Sequence, residues 1–145
     1  MVLLGSEEPW LGAIASTACT SLILIGAGIT VRTIARRAAT GRLDRNGLAG
    51  IRTQATLASD QAWEVGHKAG WAPVRRGAFV LITTGILSIM LAPVLALLGA
   101  WATTRYLTLW TVVLSIGMII ALTLIIIGAN LANQAARAVT AHSTG

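Results

Sequence analysis

Hydrophobic positions in this chain neither alternate nor keep to one helical stripe; they run on through three long, uninterrupted stretches. Residues 9–31, 77–104 and 106–136 contain no Asp, Glu, Lys, Arg or His, and Leu, Ile, Val and Ala dominate them. A bilayer core about 30 Å thick is crossed by roughly 20 residues of helix, so each stretch is long enough to span it. In lipid a helix satisfies its own backbone polar groups. The pattern therefore predicts an all-α membrane protein with three transmembrane helices, near 10–31, 78–101 and 107–131. A soluble helical core would need polar faces on these helices, and they have none.

The polar segment between the first two stretches has its own organisation. No helix breaker appears before Gly41, so the first helix is expected to continue through residues 32–39, with Arg32 and Arg36 on one face. Asp44-Arg45-Asn46-Gly47 signals a turn. Ser59 is placed to cap a short helix over 60–69, with Asp60 in its first turn, Gly70 as a stop and Pro73 just beyond. The expected arrangement is a single membrane domain over 1–145, with a basic, partly helical loop at 32–76 and a tail at 132–145.

Charge sets the expected orientation. Nine of the eleven basic residues (Arg32, Arg36, Arg37, Arg42, Arg45, Arg52, Lys68, Arg75 and Arg76) lie in the loop, against Asp44, Asp60 and Glu64. The amino-terminal tail carries Glu7 and Glu8 and no basic residue, the second turn only Arg105, and the C-terminal tail only Arg137. Basic loops stay on the cytoplasmic side. The N-terminus is thus expected outside and the loop inside, as in a bacterial cytoplasmic (inner) membrane protein. The sequence pI near 11.4 points to lipid before nucleic acid, because the excess charge lies beside the spans. Arg32, Arg36, Arg37, Arg75 and Arg76 are the expected contacts to anionic headgroups. No nucleic-acid partner is expected, since no basic, aromatic-rich sheet or groove-reading helix is evident.

Within lipid, helices associate through small residues. Thr84, Ser88, Ala92, Ala96 and Ala100 form such a stripe on the second helix, Gly117, Ala121, Gly128, Ala132 and Ala136 on the third, and Gly12, Ser16 and Thr20 on the first. Pro93 predicts a kink. Trp10, Trp101, Tyr106 and Trp110 fall at the expected outer interface, and Asn130 and Asn133 are expected to hydrogen-bond a neighbouring helix or the loop. Proton-coupled transport and ion conduction call for ionisable groups at membrane depth, and the spans hold none. Cys19 is the only cysteine and reads as a small buried apolar residue. The first residues lack the basic stretch of a cleaved signal, so the first helix is expected to persist.

The loop also carries an ordered set of residues: Asn46-Gly47-Leu48-Ala49-Gly50-Ile51-Arg52-Thr53, Thr56-Leu57, Ser59-Asp60, Trp63 and His67-Lys68. This set resembles the signature of the SdpI-like family of small bacterial integral membrane proteins. Two positions depart from it: Gln54 stands where a Pro commonly follows the Arg-Thr pair, and Gly66 where a Thr often precedes the His. The resemblance implies a non-catalytic role. The family's namesake confers immunity to a secreted peptide toxin and takes part in signalling by holding a repressor at the membrane.

Asn46, Gly50, Arg52, Thr53, Ser59, Trp63 and His67 are therefore the candidate partner-binding or loop-ordering residues. Arg52 stands alone among uncharged neighbours, which suits a guanidinium bracing the loop through backbone carbonyls, Asp60 or Glu64; a lipid phosphate is the alternative. Asp60, Glu64 and His67 are metal-ligating residue types close in sequence, yet no second His or Cys is near, so no metal and no other cofactor is expected. Catalysis lacks a base–nucleophile pair beyond His67 and nearby hydroxyls, and no enzymatic activity is expected. Two functions compete: an immunity or signalling protein that binds a peptide or protein, and an accessory subunit of a larger bacterial membrane complex, such as a respiratory assembly.

Overall fold

The computed structural model describes residues 9–96 and 103–142. They form three α-helices: α1 over Pro9–Ala39, α2 over Asp60–Ala96 and α3 over Thr103–His142. Each is long and apolar enough to cross a membrane, and no strand occurs among the described residues. The protein is an integral membrane protein. Its apolar segments, 9–31 in α1, 77–96 in α2 and 106–136 in α3, are the parts read as lying in lipid.

α1 continues through residue 39, as the absence of a breaker predicts. It ends in a glycine cap. Gly41 adopts φ +68°, its amide donates to the Ala38 carbonyl, and the Arg42 amide donates to the Arg37 carbonyl. This paired closure satisfies carbonyls that the last turn would leave open.

The short helix expected over 60–69 does not stop at Gly70. It runs through Gly70 and Pro73 without interruption into the second span, as one helix of 37 residues. At 1.5 Å per residue that is about 55 Å, of which residues 60–76 contribute about 25 Å as a polar extension. Gly70 is a contact glycine instead of a cap: a β-carbon there would lie 2.6 Å from the Gly128 carbonyl oxygen of α3. Pro73 deletes one backbone donor, which packing on both neighbours outweighs. α3 likewise passes residue 131 and remains helical to His142.

α2 is the middle helix. α1 and α3 each pack along it and scarcely meet one another. Among the described residues, the hydrogen bond between them joins the Thr17 and Tyr106 hydroxyls at 2.6 Å. Tyr106 is thus turned inward and buried, not spread along an outer aromatic belt; the side chains of Trp10 and Trp101 lie outside the described residues.

The small-residue stripe on α3 is buried as expected at Gly117, Ala121, Gly128, Ala132 and Ala136. So are Thr84 and Ser88 of α2; the side chains of Ala92, Ala96 and Ala100 lie outside the described residues. On α1 the expected stripe is displaced. Gly12 and Ser16 face outward, and the buried line is Thr17, Ser21, Leu24 and Gly28. One residue is a turn of about 100°, so the two lines share small residues but face different ways. Cys19 is exposed as well. Leu22, Ile23, Phe79, Leu87, Ile119 and Ile126 point outward, as a lipid-facing surface requires.

Candidate functional site

Residues 40–59 fold back onto the polar extension of α2, and nearly every bond in that fold comes from a residue of the sequence signature. The Asn46 side-chain oxygen accepts from the amides of Leu48 (2.8 Å) and Ala49 (2.9 Å), while its nitrogen donates to the Asp44 carbonyl. This closes the Asp44–Ala49 turn by side-chain mimicry of the backbone. Thr53 and Thr56 cap one another: the Thr53 amide donates to the Thr56 hydroxyl and the Thr56 amide to the Thr53 hydroxyl. The Thr56 hydroxyl donates in turn to the Ile51 carbonyl at 2.7 Å. Ser59 caps α2 as predicted, its hydroxyl accepting from the Ala62 amide, with Asp60 in the first turn.

Trp63 and His67, one turn apart on α2, form the platform. They are 3% and 2% exposed, with ring centroids 4.0 Å apart. The Trp63 indole N–H donates to the Leu43 carbonyl at 2.9 Å. The Ile51 amide donates to His67 Nε2 at 2.8 Å. An amide can only donate, so Nε2 is unprotonated; the neutral ring carries its proton on Nδ1, which faces the Trp63 carbonyl at 2.8 Å. Burial holds this histidine, on the polar extension outside the apolar segment, below the usual imidazole range, with the bond to the Trp63 carbonyl opposing the shift.

Gly50 makes the close approach possible. Its φ of +99° suits glycine, and a β-carbon there would lie 2.7 Å from His67 Nε2 and 2.9 Å from the Trp63 ring. Gly66, the departure from the family pattern, has a packing reason. A β-carbon at 66 would meet the Ala132 carbonyl oxygen and the Thr56 methyl, each at 3.0 Å, so the missing side chain lets loop and α3 close on α2 together.

Arg52 does not brace the loop. It is exposed and has no hydrogen bond or ion pair with any described residue. The brace is Arg45, whose Nε donates to Asp60 Oδ1 and whose guanidinium donates to the Leu57 carbonyl, both at 2.8 Å. Asp60 is thus taken, and Glu64 pairs with Lys68 at 2.6 Å. With both nitrogens of His67 occupied as well, Asp60, Glu64 and His67 do not converge, and the described residues hold no group of three metal-ligating side chains. Asn130 and Asn133 make no hydrogen bond among the described residues.

Several side chains of the folded loop are exposed and without a partner among the described residues, Leu48 and Arg52 of the signature among them. Leu48 is 91% exposed, and Arg52, four residues on, is exposed as well. Against the end of α1, Asp44, Arg45, Asp60, Glu64 and Trp63 line a cavity of about 330 Å³.

Three apolar helices with a glycine- and histidine-anchored loop on the base of the middle one define a class of small integral membrane protein. The chain matches the SdpI/YfhL protein family over residues 42–129, more than half its length, and belongs to that family. The match begins just past α1 and takes in the loop, α2 and most of α3. No curated protein and no solved structure matches the chain.

Proposed function

We propose that this chain is a non-catalytic protein of the bacterial inner membrane whose cytoplasmic loop presents Leu48 and Arg52 to a peptide or protein partner. One observation carries the reading. Asn46, Gly50, Thr53, Ser59, Trp63 and His67 are spent on holding the loop, whereas Leu48 and Arg52 are held out and unpaired among the described residues. A leucine beside a free guanidinium suits a partner with an apolar pocket flanked by a carboxylate.

The loop's nine basic residues support its placement on the cytoplasmic side. Family membership supports an immunity or signalling role of the kind borne by the namesake. The test compares native pull-downs and toxin-challenge survival for the wild type and for Leu48→Ser/Arg52→Gln. The double variant is expected to remain folded and membrane-inserted, because neither side chain is engaged, and to lose partner capture and protection together. Unchanged capture by the double variant overturns the reading. Recovery of a large stoichiometric complex from both proteins assigns the accessory-subunit role instead.

A further inference from the structure

Three arginines at the inner ends of α1 and α2 line a groove that none of the loop's acids shares. Asp44, Asp60 and Glu64 line the cavity at the end of α1 beside Trp63, and two of them are paired with Arg45 and Lys68. On another face, Arg32 of α1 and Arg75 and Arg76 of α2 line a groove of about 510 Å³ whose other lining residues are Phe79 and Val80. No carboxylate lines it. None of the three arginines has an ion pair among the described residues; Arg75 lies over the Trp71 ring at 5.8 Å, a stacking contact that leaves the edge of its guanidinium free.

Helix register explains why these three groups meet. α1 and α2 are antiparallel, and they approach closely at Gly28, where a β-carbon would lie 2.7 Å from the Ala78 carbonyl oxygen. Arg32 is one turn beyond Gly28 on α1, and Arg75 is just under one turn before Ala78 on α2, so they stand level across the groove. This is also the level at which both helices change character. Residues 9–31 and 77–96 are uncharged, and the arginines are the first charges met on leaving either segment. Phe79, 61% exposed, and Val80 lie one turn further into the apolar segment, directly below the guanidinium groups.

We propose that this groove is a specific seat for an anionic glycerophospholipid: its phosphodiester is held among Arg32, Arg75 and Arg76, and an acyl chain lies along Phe79 and Val80. Three guanidinium groups without an ion pair among the described residues line one groove at the polar–apolar boundary, and the other residues lining it are apolar. A phosphate joined to hydrocarbon complements both parts. Guanidinium forks bind phosphate oxygens in a defined geometry, so this is a site and not the diffuse attraction that any basic segment exerts on a charged bilayer. The proposal is independent of the partner assigned to Leu48 and Arg52.

The test is native mass spectrometry of the full chain released from detergent after incubation with phosphatidylglycerol or phosphatidylcholine. The wild type should retain one phosphatidylglycerol through washing and not phosphatidylcholine. Each single substitution (Arg32→Gln, Arg75→Gln or Arg76→Gln) should lower retention by roughly fivefold, and the triple variant should abolish the preference. A second triple variant, Arg36→Gln/Arg37→Gln/Arg42→Gln, removes the same charge from the α1 end and should retain the lipid. Equal losses in the two triple variants would overturn the proposal in favour of a diffuse field. Glycerol 3-phosphate displacing the lipid at equal concentration would assign the seat to a soluble phosphate and overturn it too. The single variants decide the matter if a triple variant fails to fold.

Discussion

Replacing His67 with alanine is expected to release the loop from α2 and to lower stability by about 2–4 kcal/mol. The Ile51 amide would lose its acceptor at His67 Nε2, and an orphaned buried donor costs about 1–3 kcal/mol. The cavity left beside Trp63 adds the remainder. Hydrogen exchange should show the effect as fast exchange across residues 48–57, with the apolar parts of α2 and α3 still protected. The same residue makes the loop sensitive to acid. Folding holds the His67 pKa below the ordinary imidazole value of about 6.5, chiefly by burial. A histidine depressed in this way contributes stability that is fully present above about 6.5 and is lost as pH falls through the lower folded value. Protonation would turn Nε2 into a donor facing the Ile51 donor. Loop protection in the wild type should therefore fall on acidification below about 6.5. In His67→Phe it should be low at neutral pH and show no such step. A wild-type loop whose protection is flat through that range would contradict this role for the ring.

Gly70→Leu should part α2 from α3. The β-carbon alone would lie 2.6 Å from the Gly128 backbone oxygen and 3.0 Å from the Ile51 side chain, and a backbone atom cannot rotate out of the way. Overpacking of this kind costs typically about 1–3 kcal/mol, and here it strikes the helix contact and the loop contact together. Thermal unfolding in detergent, followed by tryptophan fluorescence, should show a midpoint several degrees lower. Gly26→Leu is the control: Gly26 likewise lies inside a long helix, yet a β-carbon there would meet nothing within 4 Å, and the midpoint should not move. Equal losses for the two variants would mean that the effect is glycine replacement in general and not the α2–α3 approach.

The three helices were legible because uncharged length is a one-dimensional property, and the caps at Ser59 and Gly41 because they act over three or four residues. Other features depend on what lies across a contact. Gly70 and Pro73 look like a helix end, and only the Gly128 carbonyl opposite shows why a glycine is needed inside a continuous helix. The α1 stripe was misplaced because Gly12, Ser16 and Thr20 are as small as Thr17, Ser21 and Gly28, and composition cannot tell which line meets α2. Arg52 drew notice through its isolation in an uncharged stretch, and that isolation proved to be literal. The bracing role of Arg45 has no local signal, because Asp60, its partner, is fifteen residues away and no local spacing joins them. Trp63 and His67 were marked by the family resemblance, but the carbonyl of Leu43 and the amide of Ile51 that they engage leave no trace in side-chain identity.

The direct test of whether the signature residues fold a rigid cap is residue-level hydrogen exchange on the wild type in lipid nanodiscs at neutral pH. The amides of Ile51 and Thr53, bound to His67 and Thr56, should exchange orders of magnitude more slowly than an unstructured peptide, and the Arg52 side chain should remain open to modification by a guanidine-specific reagent. Exchange at the unstructured rate for both amides would show that the loop is not folded onto α2.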